Sequence, residues 1–464
     1  MFKNSLHHDC PSTGPNAPRA SSAGLLKAAD GAGGGPTVVV GGGAAGLELV
    51  TRLMRHGARD GHGGRAVLVD RALAHVWKPR LHEIATAMQS RAVAESSFLS
   101  HASANGYRFE VGELKDIDLV RRLVMLAPLI GPDGAEVLPV RSIHYGRLIL
   151  ALGSEENDFG TPGATQHCLF LNDTHQALRI RDALLVGALR IARGQQDALS
   201  IVVIGGGATG VELSAEIHHA IDALWIHEPT LDRSRVRLTI VEAADRLLSA
   251  NPPQVSAYAL DALHARHVEV IVGDRVASSD DSGVLLKSGR RIDAQLRIWT
   301  AGIRGPRVFE RSGMLETTHS GRVQVDSHLR CAGLTDVYAI GDCAEWSDPA
   351  TGRAAPYTAQ VAAAQARYLA AALRIIDDGG EAHAFRFNSA GAVVSLGDQG
   401  AAGNLTTRFG RRSHDRFIQG VSAKVVYAAL YRRHEFAIHG WWGALARLLS
   451  DWLGRVSQPR LKLH

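Results

Sequence analysis

A chain of 464 residues has room for two to four domains and a large core. Its 45% hydrophobic residues and 49 glycines suit an α/β protein with many strand-to-helix turns. The net charge of +5 is mild for this length, and no Lys/Arg block is long enough to serve as a nucleic-acid tail, so no nucleic-acid partner is expected. Cys10, Cys168, Cys331 and Cys343 form no C-x-x-C pair and no zinc spacing, and read as reduced thiols of a cytosolic protein. No apolar run nears the roughly 18 residues that cross a bilayer, and the N-terminus lacks the apolar stretch of a signal peptide.

Residues 1–35 are rich in Pro, Ser, Ala and Gly without hydrophobic period, so a disordered leader is expected. His7 and His8 adjoin there without a third ligand, and no metal site is expected. Thr37 to Val40 then reads as a buried strand leading into Gly41, Gly43 and Gly46, spaced G-x-G-x-x-G, and into a helix. In this pattern the first glycine makes a tight turn and the second lets backbone approach a pyrophosphate. The third lets helix and strand pack closely, and the anion sits on the free N–H groups of the helix start. A second strand, Ala66 to Val69, ends in Asp70. In HVWKPRLHE (75–83), Trp77, Lys78 and Pro79 precede a helical segment, which reads either as a loop with a cap or as a helix start facing a flavin ring. Residues 107–150 alternate short strands and turns like an antiparallel meander. YGRLILALGS (145–154) is a returning strand whose Gly153 lets backbone pass close to a cofactor. DFGTPGA (158–164) is a hinge, followed by a helical run from about 172 to 194.

The glycine pattern then recurs. Ile201 to Ile204 leads into Gly205, Gly207 and Gly210 and a helix, and the strand Arg237 to Val241 ends in Glu242. That acid is placed to accept from a ribose 2′-OH, which favours NADH over NADPH. Two dinucleotide sites in one chain imply two dinucleotides with electrons passing between them. Strands are expected at 268–273 and 284–289, and RIWTAGI (297–303) reads as the return to the first domain. In DVYAIGDCAEW (336–346), Asp342 suits either sugar hydroxyls or a plain helix N-cap.

Beyond residue 356 come an Ala-rich amphipathic helix, short strands within 385–405 and helical stretches at 417–431 and 436–454, separated by Arg432, Arg433 and His434. Trp441, Trp442, Leu445, Leu448, Leu449 and Trp452 fall on one side at helical spacing, with Arg447, Asp451 and Arg455 largely off that stripe. Three of the seven Trp lie here, where indole rings suit a membrane–water boundary. Arg432, Arg433, Arg455, Arg460 and Lys462 would meet anionic headgroups. Too short and polar to span, the segment is expected to lie in the interface plane; a core or dimer contact is the other reading. The division expected is a leader (1–35), the first part of one dinucleotide-binding domain (36–158), a second such domain inserted in it (159–295), the remainder of the first (296–384) and a membrane-anchoring region (385–464). The fold class is α/β with two Rossmann-like domains and a C-terminal membrane-associating helical segment.

The ordered set GGGAAGLELV, VLVDRALAHVWKPRLHEIATA, YGRLILALGSEENDFGTPGA, IVVIGGGATGVELSAEI, WTAGIRG, VYAIGDCAEW and YRRHEFAIHGWWGALARLL resembles the type II NADH:quinone oxidoreductases, single-subunit flavoenzymes of the two-dinucleotide-binding-domain superfamily. The resemblance covers roughly residues 37–464. It implies FAD on Gly41, Gly43, Gly46 and Asp70, with Asp342 at the ribitol–phosphate part. It implies NADH on Gly205, Gly207, Gly210 and Glu242, with Lys78, Gly153 and Gly302 completing the cofactor contacts. Glu212, in the family's G-x-x-G-x-E turn, would sit catalytically where nicotinamide meets flavin. Hydride would pass from NADH to flavin and two electrons onward to a membrane quinone without proton pumping, at the cytoplasmic face of the inner membrane. Residues 71–100 hold no cysteine, so the route of the disulfide reductases is closed. The family's A-Q-x-x-x-Q pattern near the quinone reads here Ala359, Gln360 and then Ala364 in the second Gln position. Gln365, one place on, points about 100° away. That leaves Gln360 as the quinone-site residue and the quinone type open, as is a homodimer. Alternatives are a soluble flavin reductase serving an iron–sulfur carrier and a non-turnover NADH-binding scaffold. A sulfide:quinone oxidoreductase would need Cys168 and Cys343.

Overall fold

The computed structural model describes residues 34–457 except 61–64, 90–93, 229, 231, 314, 410 and 411. The leader expectation, His7, His8, Cys10, Arg460 and Lys462 lie outside the described residues, as do the side chains of Arg447, Asp451, Trp452 and Arg455.

The chain builds one plan twice. Each glycine pattern follows the central strand of a five-stranded, wholly parallel sheet, and the acid-bearing strand lies beside it. The first sheet runs Val337–Ala339, Arg147–Leu150, Thr37–Val40, Ala66–Asp70, Arg108–Val111. The second runs Leu169–Phe170, Leu296–Trp299, Leu199–Ile204, Val236–Val241, Glu269–Ile271. Strands covered on both faces read as unbroken apolar runs, as VVV and IVVI do here. In both units a three-stranded antiparallel meander separates the fifth strand from the strand that returns beside the centre. The first meander comprises Leu114–Asp118, Leu123–Leu126 and Arg141–His144, and the second Val276–Ser279, Gly283–Leu286 and Arg291–Asp293.

One expectation is corrected by this topology. The strand read as the return to the first domain, Leu296–Trp299, is a central strand of the second sheet, so a boundary at 295/296 would cut that sheet. The crossing is made just after it, where Ile303–Arg304 pairs antiparallel with Glu155–Glu156. A turn-rich stretch followed by an apolar strand does not reveal which sheet the strand joins; its partner lies about a hundred residues away.

The helix Ala359–Asp377 packs on Ala44–Asp60 of the first unit. A three-stranded antiparallel sheet (Gly391–Ser395, Ala401–Phe409, Arg412–Gln419) packs its first strand against Ala208–His227 of the second. The chain ends in the helix Gly420–Ser457, interrupted at Gly440, where φ is +71° and ψ −177°. The break is therefore not at 432–434, and residues 417–419 are strand. Arg432 stays helical by donating to Glu435 Oε2 at 2.5 Å, and His434 is buried. Glycine at 440 supplies the left-handed φ, and the carbonyls released there find donors. Arg55 reaches Ala437 O (2.8 Å) and Ile438 O (3.1 Å), and His101 Nε2 also contacts Ile438 O (2.9 Å). A cation at a helix C-terminus is doubly favourable, as hydrogen-bond donor and against the helix dipole. The segment 420–439 is thereby fastened to the first unit, and a second helical stretch follows the kink. Among the described residues no helix is long and apolar enough to cross a membrane.

Candidate functional site

Each glycine loop closes on its acid through the glycine in the middle of a G-G-G run. Gly42 N–H donates to Asp70 Oδ2 at 2.6 Å, and the other oxygen accepts from Ala72 N–H at 2.8 Å. In the second unit Gly206 N–H donates to Glu242 Oε2 at 2.5 Å, and Oε1 accepts from Ala244 N–H at 2.7 Å. Burial pushes Asp70 up, against the pull of those two amides and Arg71. Gly42 and Gly206 were not singled out in the sequence; their signal was the third glycine in each run.

The outer glycines divide as the chemistry requires. A Cβ on Gly46 would stand 1.9 Å from Gly41 O, and one on Gly210 1.9 Å from Gly205 O, so both are fixed by packing. Gly41 (φ +106°) and Gly205 (φ +111°) make the left-handed turns. A Cβ on Gly43 or Gly207 would meet no protein atom within 4 Å. That open face, on the N-terminus of a long helix, leaves room for a pyrophosphate.

Around the first loop the structure gathers Lys78, Gly153 and Asp342. Lys78 Nζ donates to Ser154 O at 3.2 Å and faces Ser154 Oγ at 3.4 Å, and Ser154 Oγ donates to Asp342 Oδ2 at 3.3 Å. Crowding by protein lowers the Lys78 pKa, offset in part by Asp342 and Glu156. Asp342 lies inside the 3-10 turn Gly341–Cys343, and among the described residues its carboxylate caps no backbone N–H, so the N-cap reading does not hold. Gly153 (φ +72°) turns the chain just ahead of Ser154. Gly302 (φ +72°) sits at the crossing between units, with the Phe159 ring filling the space of its missing side chain.

The HVWKPRLHE stretch is tied to the C-terminal helix. Trp77 stacks on His434, ring centroids 3.9 Å apart. His434 Nε2 lies 3.1 Å from His75 Nε2, whose Nδ1 contacts Gly42 O at 2.9 Å. Burial keeps His434 neutral, its pKa well below the usual range. A contact spanning 359 residues of chain leaves no local sequence signal.

Glu212 is buried in the first turns of Ala208–His227. Its Oε1 accepts from Ser395 N–H at 3.0 Å and its Oε2 lies 3.5 Å from His82 Nδ1. Desolvation by burial raises its pKa to about 8, against the Ser395 bond, and burial lowers His82 to about 4. At neutral pH Glu212 thus holds a proton and His82 is uncharged.

Two cavities meet these residues. One of about 590 Å³ is lined by Gly205, Glu242, Phe159, Arg275, Trp299 and Ala301. The other, about 1130 Å³, reaches from Gly207 past Trp77 and Arg80 to Gln360, Ala364 and Tyr427. Gln360 lines it while its amide bonds Gly391 O (2.8 Å). Ala364 faces the same space, and Gln365 turns into the core, accepting from Gly341 N–H at 2.7 Å. Cys168 and Cys343 are buried in separate cores, and burial pushes both thiols up, Cys343 to about 12.

Two parallel sheets, each with a glycine loop clamped to an acid, define a two-dinucleotide-domain oxidoreductase. The model of the pyridine nucleotide-disulphide oxidoreductase family matches residues 35–366. The chain is similar to the type II NADH:quinone oxidoreductase of Haemophilus influenzae, 34% identical over 439 residues, 91% of this chain and 98% of that one. It is also similar to the enzyme of that name from Staphylococcus epidermidis, 27% identical, covering 78% of this chain and 87% of the other. In fold it is similar to NDH2 from Plasmodium falciparum in complex with NADH (TM-score 0.77, 16% identity, 93% of this chain and 100% of that one). The chain belongs to the type II NADH:quinone oxidoreductase family.

Proposed function

We propose that this chain oxidises NADH and reduces a membrane quinone without pumping protons. The observation that carries the reading is the doubled clamp, Gly42 with Asp70 and Gly206 with Glu242, in a chain whose larger cavity runs from the second glycine loop to Gln360. FAD, when bound, supplies the two-electron carrier between nicotinamide and quinone. In this reading Gly43 and the helix start behind it take the FAD pyrophosphate, and Asp70 accepts from the ribose. Asp342 and Ser154 hold the ribitol–phosphate part, with Lys78 bonded beside them.

Gly207 and Ala208 take the NADH pyrophosphate. Glu242, anchored by two amides, still has lone pairs to accept from a ribose 2′-OH and repels a 2′-phosphate. Buried Glu212, kept protonated, stands beside the place where the two nucleotides meet. Trp77 and the Ala363/Ala364 face give the quinone head an apolar wall, with the Gln360 amide at its edge.

The second half of the C-terminal helix is the proposed contact with the membrane surface. Trp441 and Trp442 are 69% and 80% exposed, and Leu445 and Leu449 are also exposed, which is unfavourable in water and favourable at a lipid interface. The Gly440 break separates this half from a first half held by Arg55 and His101. Peripheral association at the cytoplasmic face of the inner membrane completes the proposal.

Steady-state NADH oxidation by the FAD-loaded protein, with a short-chain quinone, an iron–sulfur carrier and sulfide as alternative arms, tests this. NADH-dependent quinone reduction is expected. Turnover confined to the carrier, or sulfide oxidation in place of NADH oxidation, would replace it.

A further inference from the structure

Arg322 stands just before the short strand Val323–Gln324 of the first unit, only 3% exposed, and all three nitrogens of its guanidinium donate. Nε reaches Asp342 O at 3.1 Å, Nη1 reaches Ser320 Oγ at 2.6 Å and Nη2 reaches Ile303 O at 3.1 Å. The Tyr357 ring backs the guanidinium, its centroid 3.7 Å from Cζ, and Tyr357 Oη is itself fixed by donating to Glu345 Oε2 at 2.7 Å. A buried cation left without acceptors is costly. Here the acceptors are two backbone carbonyls and a hydroxyl instead of a carboxylate, so the charge is used to hold backbone. Arginine suits that use, because its planar fork serves several acceptors at fixed angles.

The two carbonyls belong to opposite sides of the site. Asp342 lies in the turn Gly341–Cys343, on the side assigned above to the ribitol–phosphate part. Ile303 lies in the crossing, just after Gly302 and Ala301, and Ala301 lines the cavity of Gly205 and Glu242. The turn has ties of its own within the first unit. Gly341 N–H donates to Gln365 Oε1 at 2.7 Å, and Ser154 Oγ donates to Asp342 Oδ2 at 3.3 Å. The crossing is held by the pairing of Ile303–Arg304 with Glu155–Glu156 and by Gly305 N–H donating to Ser320 O at 2.8 Å. Arg322 bonds turn and crossing at once.

We propose that Arg322 is a positioning residue: by tying Ile303 O to Asp342 O through one guanidinium, it sets the nicotinamide end of NADH against the flavin. Transfer between two bound groups depends steeply on their placement, and a shift of about 1 Å can cost about a hundredfold in rate. Loss of the fork should therefore slow the step in which NADH reduces the flavin. The step in which quinone reoxidises it should be spared, since Gln365 and Ser154 still hold the turn. The proposal rests on the NADH:quinone reading above.

The test compares FAD-loaded Arg322→Met, which keeps bulk and removes the donors, with Arg322→Lys, which keeps the charge without the fork. Ser320→Ala, which removes one acceptor, serves should Arg322→Met fail to fold. Stopped-flow absorbance follows each half-reaction, and amide hydrogen exchange reads the crossing independently of activity. Expected for Arg322→Met is a limiting rate of flavin reduction by NADH lower by about tenfold or more, with FAD content, the apparent Kd for NADH and reoxidation by quinone unchanged. Amide exchange should quicken over residues 302–305 and stay at the parent's rate over 341–343. Arg322→Lys should recover the rate only in part, and Ser320→Ala should shift the same quantities by less. Parent rates of flavin reduction and of exchange in Arg322→Met, or in Ser320→Ala where it stands in, would overturn the proposal alone. So would full recovery by Arg322→Lys, or equal slowing of both half-reactions with FAD release, which marks a general structural role. Unmodified protein whose flavin NADH does not reduce would overturn the functional reading and the proposal with it.

Discussion

Replacing Glu212 by Gln perturbs one proton and almost no volume. The unfolded chain releases that proton near pH 4.5, whereas the folded chain keeps it to about pH 8 because burial disfavours the carboxylate. The folded pKa is raised, so the cost is absent below about pH 4.5, grows as pH rises, and levels off above about 8. At pH 7 it amounts to about 1.4 kcal/mol per pH step above 4.5, about 3 kcal/mol in all. The amide of Gln has no such cost and can still accept from Ser395 N–H through its oxygen. If the 464 residues unfold together, the transition entropy is about 1 kcal/mol per degree. The Tm of Glu212→Gln relative to the parent should therefore rise by about 3 °C between pH 5 and pH 7.5. Thermal scans of both FAD-loaded proteins across that range measure it. A Tm difference independent of pH would refute the claim that burial governs this carboxyl.

Four further outcomes are expected. Glu242→Ser should narrow the preference for NADH over NADPH, read as the ratio of kcat/KM values, through loss of the repulsion toward a 2′-phosphate. Gly207→Ala should fold with the parent's Tm yet raise KM for NADH about tenfold or more. Gly210→Ala, whose Cβ would stand 1.9 Å from Gly205 O, should lower Tm by several degrees. Deleting residues 441–464 should release the protein from anionic liposomes in a sedimentation assay and impair long-chain quinone turnover more than that of a water-soluble acceptor.

The glycine loops and their acids were legible because the rules that place them are local: a strand, a tight turn, a helix start, and one more strand ending in Asp or Glu. The same locality made Gln365 legible. A shift of one position on a helix turns a side chain to another face, and it does turn into the core toward Gly341. What was not legible depends on distant partners. Leu296–Trp299 has the same local pattern in whichever sheet it joins. The cluster Arg432, Arg433, His434 reads as a polar break, yet Arg432 is paired within its own helix and His434 is buried against Trp77. The break came at Gly440, where the freed carbonyls depend on Arg55, some 380 residues earlier.

The central claim is that one flavin takes electrons from NADH and returns them to quinone. Anaerobic stopped-flow measurement on the FAD-loaded protein tests it most directly. The account predicts that one equivalent of NADH bleaches the flavin's visible absorbance and that subsequent mixing with quinone restores it, each step at least as fast as steady-state turnover. A flavin that NADH does not bleach, or that quinone leaves bleached, would contradict it.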